Sequence, residues 1–181
     1  MNRQIVLVGV FVFGGSMLVQ AQAQAPKPTA EHKKLAGFVG SWALDAETKP
    51  GNGYGAPAGK SSWVERWEWL PGAFFLQMNR DGKALGGDVK DRLIFGYDRA
   101  AQKYSLVFFD LNSGVSRYGT GTASGNTWTW AVNGRNDDGK SFQERCTIAL
   151  VPSVSYTVNC DTSPDGRTWT PAFEGKATKS K

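Results

Sequence analysis

From residue 41 onward the chain alternates apolar and polar positions over short stretches. Over 61–70, Trp63, Glu65, Trp67 and Trp69 alternate with Val64, Arg66, Glu68 and Leu70. Over 141–151, Phe142, Glu144, Cys146, Ile148 and Leu150 alternate with Ser141, Gln143, Arg145, Thr147 and Ala149. A period of two belongs to a strand, whose successive side chains point to opposite faces of its sheet. Extended along the chain, the pattern predicts about ten strands, near 41–46, 61–70, 74–80, 91–97, 103–110, 115–122, 127–133, 141–151, 154–162 and 169–178.

Gly, Pro, Asn and Asp clusters separate these stretches. Leu70-Pro71-Gly72-Ala73 suits a type II turn, Ser124-Gly125-Asn126 a tight hairpin and Asp137-Asp138-Gly139 a longer one. Before the strands, residues 29–38 read as a short helix, with Thr29 as N-cap, Glu31 in the first turn, Leu35 and Phe38 on one side and His32 in solvent. A run of hairpins without crossover helices closes naturally into a barrel, which removes exposed edges. The predicted fold is all-β: a roughly ten-stranded antiparallel up-and-down barrel with a short N-terminal helix. The irregular Gly/Pro-rich stretch 47–60 becomes a flexible loop at one mouth, in the position of a lid.

The N-terminus changes the picture of where this barrel works. Arg3 precedes an apolar run over 5–19 and then Ala21-Gln22-Ala23-Gln24-Ala25, the order of a secretory signal peptide. Such a run is shorter than the roughly 20 residues that span a bilayer. Cleavage is expected after Ala23 or Ala25, giving a signal segment at 1–25, a barrel domain at 26–181 and a periplasmic or secreted location. No later segment is apolar enough for membrane insertion, and no cysteine stands at the cleavage site to take a lipid. The formal charge of +5 drops by one with Arg3 and is spread over loops, so a nucleic-acid partner is not expected.

An oxidising compartment favours pairing Cys146 with Cys160. Pro152-Ser153 lies midway between them. A hairpin turn there sets Cys146 opposite Cys160, Ile148 opposite Val158 and Leu150 opposite Tyr156, all on one face. Closing a loop of that length contributes about 3 kcal/mol in the chain-entropy view.

Leu35-Ala36-Gly37-Phe38-Val39-Gly40-Ser41-Trp42, a short helix followed by G-x-W, resembles the opening of lipocalin and related calycin barrels, in which the tryptophan plugs the closed end. Phe95-Gly96-Tyr97-Asp98 followed by Lys103-Tyr104, then Asp110, and later Asp165-Gly166-Arg167-Thr168-Trp169 resemble a lipocalin-like family of exported bacterial domains of unknown function. The resemblance implies a barrel similar to the nitrobindin type and no established activity. It does not carry the haem of that type, because His32, the lone histidine, precedes the barrel.

Several stretches mimic functional motifs without the context their chemistry needs. Gly55 to Ser61 is one residue short of a phosphate loop and is followed by a strand, whereas Gly51 to Ala56 fits G-x-G-x-x-A with no preceding strand. Ser163 to Trp169 is a turn one residue short of a sialidase-type Asp-box. A calcium loop around Asn136 to Gly139 would need carboxylates where Gly134 and Arg145 stand. With one histidine and two paired cysteines, neither a metal, a cofactor nor a serine or cysteine nucleophile with its base is expected, and no catalytic residue is assigned.

Two carboxylates remain. Glu65 shares a face with three tryptophans, and Glu144 lies on the Phe142, Cys146, Ile148 face. A buried carboxylate is costly unless paired, hydrogen-bonded or protonated. The inward-capable cation is Arg117, on the face of Val115, Gly119 and Gly121. One reading is an internal Arg–Glu bridge, or a glutamate reaching solvent at a strand end. The other makes Glu65, Glu144 and Arg117 the polar anchors of a cavity lined by Trp67, Phe95, Tyr97 and Trp130, the usual make-up of a small-molecule site. The leading expectation is an exported barrel binding a small, partly apolar molecule. Its rivals are a barrel isomerase, cyclase or hydrolase using Glu65 or Glu144 as general acid or base beside Tyr97, and an interaction module with a filled core.

Overall fold

Pleated alternation needs a partner on both edges of every strand, and the chain supplies it by closing on itself. The structure is a computed structural model describing residues 25–84, 87–136 and 138–180. Ten antiparallel strands pair in chain order: β1 (Gly40–Thr48), β2 (Gly59–Trp69), β3 (Leu76–Ala84), β4 (Gly87–Asp98), β5 (Lys103–Asp110), β6 (Ser116–Ser124), β7 (Thr127–Arg135), β8 (Ser141–Val151), β9 (Ser155–Ser163) and β10 (Thr170–Lys179). β10 pairs with β1, so the barrel has no free edge. The predicted signal segment lies outside the described residues apart from Ala25, and so does Asp137 of one predicted turn.

The expected registers hold. Cys146 faces Cys160, Ile148 faces Val158 and Leu150 faces Tyr156, and the two sulfurs are bonded. Ala73 N–H donates to the Leu70 carbonyl at 3.0 Å, closing the predicted turn there.

One hairpin is longer than the sequence pattern implied. Asp81 to Ala84 pair with Gly87 to Lys90, so β3 runs beyond Arg80 and β4 begins before Asp91. Asp81, Gly82 and Lys83 fall between the stretches read as strands, yet a ladder uses backbone groups and tolerates such residues. Gly82 is required by packing: a Cβ there would lie 2.4 Å from the Cβ of Trp63.

The opening helix α1 (Ala30–Lys34) runs into a 3-10 turn over Leu35–Phe38. Leu35 and Phe38 are buried and seal one end of the barrel with Trp42, Leu76 and Trp128. Trp42 Nε1 donates to the Phe38 carbonyl at 2.6 Å, and Tyr104 OH donates to Glu31 Oε2 at 2.8 Å, fastening the plug to the wall. The expectation that His32 is solvated is wrong. It is 3% exposed, set edge-on to Phe74 and Tyr97, with Nδ1 accepting from Thr29 N–H at 3.1 Å. His32 stands one turn before Leu35 and shares its buried side. Burial, helped by the charge of Arg99, lowers its pKa and favours the neutral ring.

Candidate functional site

Side chains from all ten strands converge above the plug. Between them lies a cavity of about 600 Å³, open at the end that carries the loops between β1 and β2 and between β5 and β6. The interior is therefore not filled. Its deeper wall is aromatic: the Trp67 ring stacks on Phe95 at 4.9 Å, and Phe95 meets Trp130 edge-on at 5.2 Å.

Two polar clusters interrupt that wall. Glu65, 1% exposed, holds the lower one. Its Oε1 accepts from Trp63 Nε1 at 3.0 Å and its Oε2 from Trp67 Nε1 at 3.1 Å, while Tyr156 OH donates to Oε2. The Arg80 guanidinium lies 3.6 Å from Glu65 Oε1 and donates to Asp91 Oδ2 at 3.1 Å. The spacing of β2 explains this: Trp63, Glu65 and Trp67 point to one face, so a carboxylate between two indoles receives both N–H groups. Burial raises the Tyr156 pKa well above its ordinary value, with the Glu65 charge adding to it, so this hydroxyl remains a donor. Burial also raises the pKa of Asp91.

The upper cluster stands near the mouth. Tyr54, from the loop after β1, donates to Glu144 Oε1 at 3.0 Å. Glu144 Oε1 also rests 3.0 Å from Cys146 Sγ, a contact without a proton because that sulfur is in the disulfide. Glu144, Cys146 and Cys160 thus cluster as metal-ligand types, but a disulfide offers no thiolate to an ion. Burial raises the pKa of Glu144, and raises that of Tyr54 well above its usual value with the Glu144 charge assisting. The Arg117 guanidinium sits over Phe108 at 5.0 Å, Phe142 at 5.1 Å and Tyr54 at 5.9 Å. Gly134 makes room, since a Cβ there would meet the Phe142 ring at 2.7 Å and Arg117 Cδ at 3.1 Å.

Six of the seven residues singled out from sequence line this cavity: Glu65, Trp67, Phe95, Arg117, Trp130 and Glu144. Tyr97 does not. It lies on the Phe95 face but two residues nearer the plug, packed against His32 and Tyr104. The Arg117–glutamate bridge that one of the two readings allowed is absent among the described residues. Glu65 takes Arg80 instead, because β3 lies beside β2 and Glu65 pairs in register with Arg80. Arg80, Asp91, Tyr54 and Tyr156 belong to the site and were not assigned to it from sequence. For Arg80 and Asp91 a signal existed: Leu76, Met78 and Arg80 share a face, as do Asp91, Leu93 and Phe95.

A second hollow, of about 880 Å³, lies outside the barrel along β1, β2, β9 and β10. Its lining alternates acids and bases, among them Asp45, Glu47, Lys60 and Lys176, and has no aromatic wall. A solvated outer face accounts for it.

A family profile described as "Protein of unknown function (DUF1579)" matches residues 27–179. Among solved structures, the crystal structure of Rv2717c from M. tuberculosis is similar, with a TM-score of 0.58 and 13% sequence identity, covering 84% of this chain and 99% of that one. At that identity the likeness shows the fold alone. No curated protein matches the chain.

Proposed function

Because the chain belongs to DUF1579, a family of unknown function, its role has to be read from its own site, and we propose that it is an exported, lipocalin-like barrel that binds a small, partly apolar molecule in its interior. The observation that carries this reading is the cavity itself. Its volume falls within the roughly 300–1,000 Å³ of small-molecule sites, and its aromatic wall is broken by a few fixed polar groups. A core serving stability alone would close such a space, since empty volume forfeits packing energy.

Export is supported by the signal-like segment before residue 26 and by the disulfide, which persists in oxidising compartments. No described helix is long and apolar enough to cross a membrane. The plug at one end and the loop mouth at the other support kinship with lipocalin-like barrels. In this reading Trp67, Phe95 and Trp130 contact the apolar body of the ligand, whereas Glu144, Arg117 and Tyr54 meet its polar end. Glu65 serves mainly to hold the wall.

Native mass spectrometry of protein recovered from its own periplasm or medium tests the reading, together with titration of the anionic dye 1-anilinonaphthalene-8-sulfonate. A co-purifying small molecule, or dye binding that quenches tryptophan emission, is the expected result. An unliganded protein that neither binds the dye nor changes its tryptophan emission would remove the proposal.

A further inference from the structure

We infer that the molecule taken by this cavity is an amphipathic monocarboxylate, its carboxylate held by the Arg117 guanidinium near the mouth and its apolar body laid on the Trp67, Phe95 and Trp130 rings. The inference rests on the cavity-binding reading above and adds the chemistry of the ligand's head.

The reasoning starts from donors without acceptors. Arg117 Nε and Trp130 Nε1 are both buried and have no hydrogen-bond partner among the described residues, and both residues line the cavity. Trp130 as a whole is only 5% exposed, so water does not reach its indole freely. A buried N–H is ordinarily satisfied, and the orphaned Arg117 Nε in the cavity wall is where a ligand acceptor would fit.

The contrast between the two cavity cations sharpens this. Among the described residues Arg80 Nε also has no hydrogen bond, but the Arg80 guanidinium lies between the Glu65 and Asp91 carboxylates and is neutralised by them. Arg117 has aromatic rings around it instead, those of Phe108, Phe142 and Tyr54. Rings stabilise the face of a guanidinium and fix its plane. They leave its N–H edge free, and that edge matches a carboxylate with two parallel hydrogen bonds.

The acids nearby are engaged elsewhere. Glu144 accepts from Tyr54 at 3.0 Å, and Asp91 accepts from Arg80 at 3.1 Å. Asp110 is turned into its own loop, accepting from the N–H groups of Asn112 at 2.8 Å and Ser113 at 3.1 Å, and from Ser113 Oγ at 2.6 Å. Among the described residues Arg117 has no ion-pair partner, although its charge acts at longer range on Glu144, Asp91 and Asp110, and its guanidinium above an aromatic well suits one negative charge on an apolar body. A more highly charged or wholly polar anion would meet Glu144, Asp91 and Asp110 without further compensation.

Calorimetric and fluorescence titrations of the full mature protein with decanoate, 1-decanol and decylamine separate the head from the chain. Decanoate is expected to bind at least about tenfold more tightly than either of the others, the scale of one charge-assisted pair. Arg117→Gln should lose about tenfold for decanoate and nothing for decanol. Arg117→Lys keeps the charge but not the two-pronged edge, and should fold like wild type while weakening decanoate several-fold. It decides the matter if the glutamine variant does not fold. Equal binding of the three compounds, or undiminished decanoate binding by a well-folded Arg117 variant, overturns the carboxylate assignment and leaves the cavity reading standing. Failure of all three to bind while the anilinonaphthalene dye binds overturns the carboxylate assignment alone; failure of the dye as well, in a protein that carries no co-purifying molecule, overturns both.

Discussion

The Tyr54 hydroxyl donates to Glu144 Oε1 at 3.0 Å across a sequence separation of 90 residues, so the loop after β1 is tied to the opposite wall of the barrel. Gly53 N–H donates to Thr162 Oγ1 at 2.9 Å beside it, and Asn52 Nδ2 bridges the Lys49 and Ala56 carbonyls within the loop. The loop is thus folded inward over the mouth and tied to the wall through Gly53 and Tyr54.

Tyr54→Phe keeps the ring edge-on to Phe142 and removes only the bond to Glu144. Stability should fall by about 1 kcal/mol or less, the net worth of one hydrogen bond. Amide exchange over residues 52–56 should quicken, and stopped-flow association of the anilinonaphthalene dye should accelerate. Unchanged exchange in that segment would show that the hydroxyl does not latch the loop.

Glu65 is the opposite case, a buried carboxylate with every neighbour committed to it. Glu65→Ala strands the Trp63 and Trp67 indole N–H groups and the Tyr156 hydroxyl and leaves Arg80 with Asp91 alone. The loss should be about 3–5 kcal/mol in equilibrium urea unfolding, with Glu65→Gln milder because one acceptor oxygen survives. A change below about 1 kcal/mol in the alanine variant would contradict a structural role.

What alternation revealed and what it hid follow from its nature. It reports the face of a strand, so Glu65, Glu144 and the facing of Cys146 and Cys160 were legible. Depth along the barrel is not encoded in it, and Tyr97, correctly placed on the Phe95 face, turned out to lie below the cavity against the plug. The stretches read as strands stopped at Arg80 and resumed at Asp91, so both stood at strand ends and were not assigned to the site, although each shares a face with apolar neighbours. Tyr54 sits in a loop where no period exists, so only the folded chain could bring it to Glu144. His32 stands three residues before Leu35, on the side already read as inward, so its burial was legible and was missed.

The disulfide makes a separable contribution. Cys146 and Cys160 close a loop with a separation of 14 residues on the hairpin formed by β8 and β9. Replacing both by alanine should cost about 3 kcal/mol, chiefly by freeing the unfolded chain. The native protein should have an intact mass two hydrogens below its reduced form. Two free thiols in that measurement, or a double variant as stable as wild type, would refute the assignment.

The pH dependence of stability should carry the mark of Glu144. Burial disfavours its carboxylate and raises the folded pKa above the ordinary 4.5; the Tyr54 hydrogen bond and the charges of Arg117 and Arg80 oppose that shift without cancelling it. Between 4.5 and the folded value, the native state therefore binds more protons than the unfolded chain. By linkage, this group's stabilisation is fully present below about pH 4.5 and is lost as pH rises through the folded pKa. Gln at this position stays neutral and still offers an oxygen to Tyr54, so Glu144→Gln lacks the loss. Asp91, raised by burial from 3.8, follows the same sign and is present in both proteins, so the comparison removes its contribution apart from its coupling to Glu144 through Arg80 and Arg117. Urea unfolding at intervals between about pH 4 and pH 7 should show the glutamine variant gaining on wild type as pH rises, then running parallel to it. A difference that stays flat, or that shrinks with rising pH, would mean that the folded barrel holds Glu144 no less charged than water does.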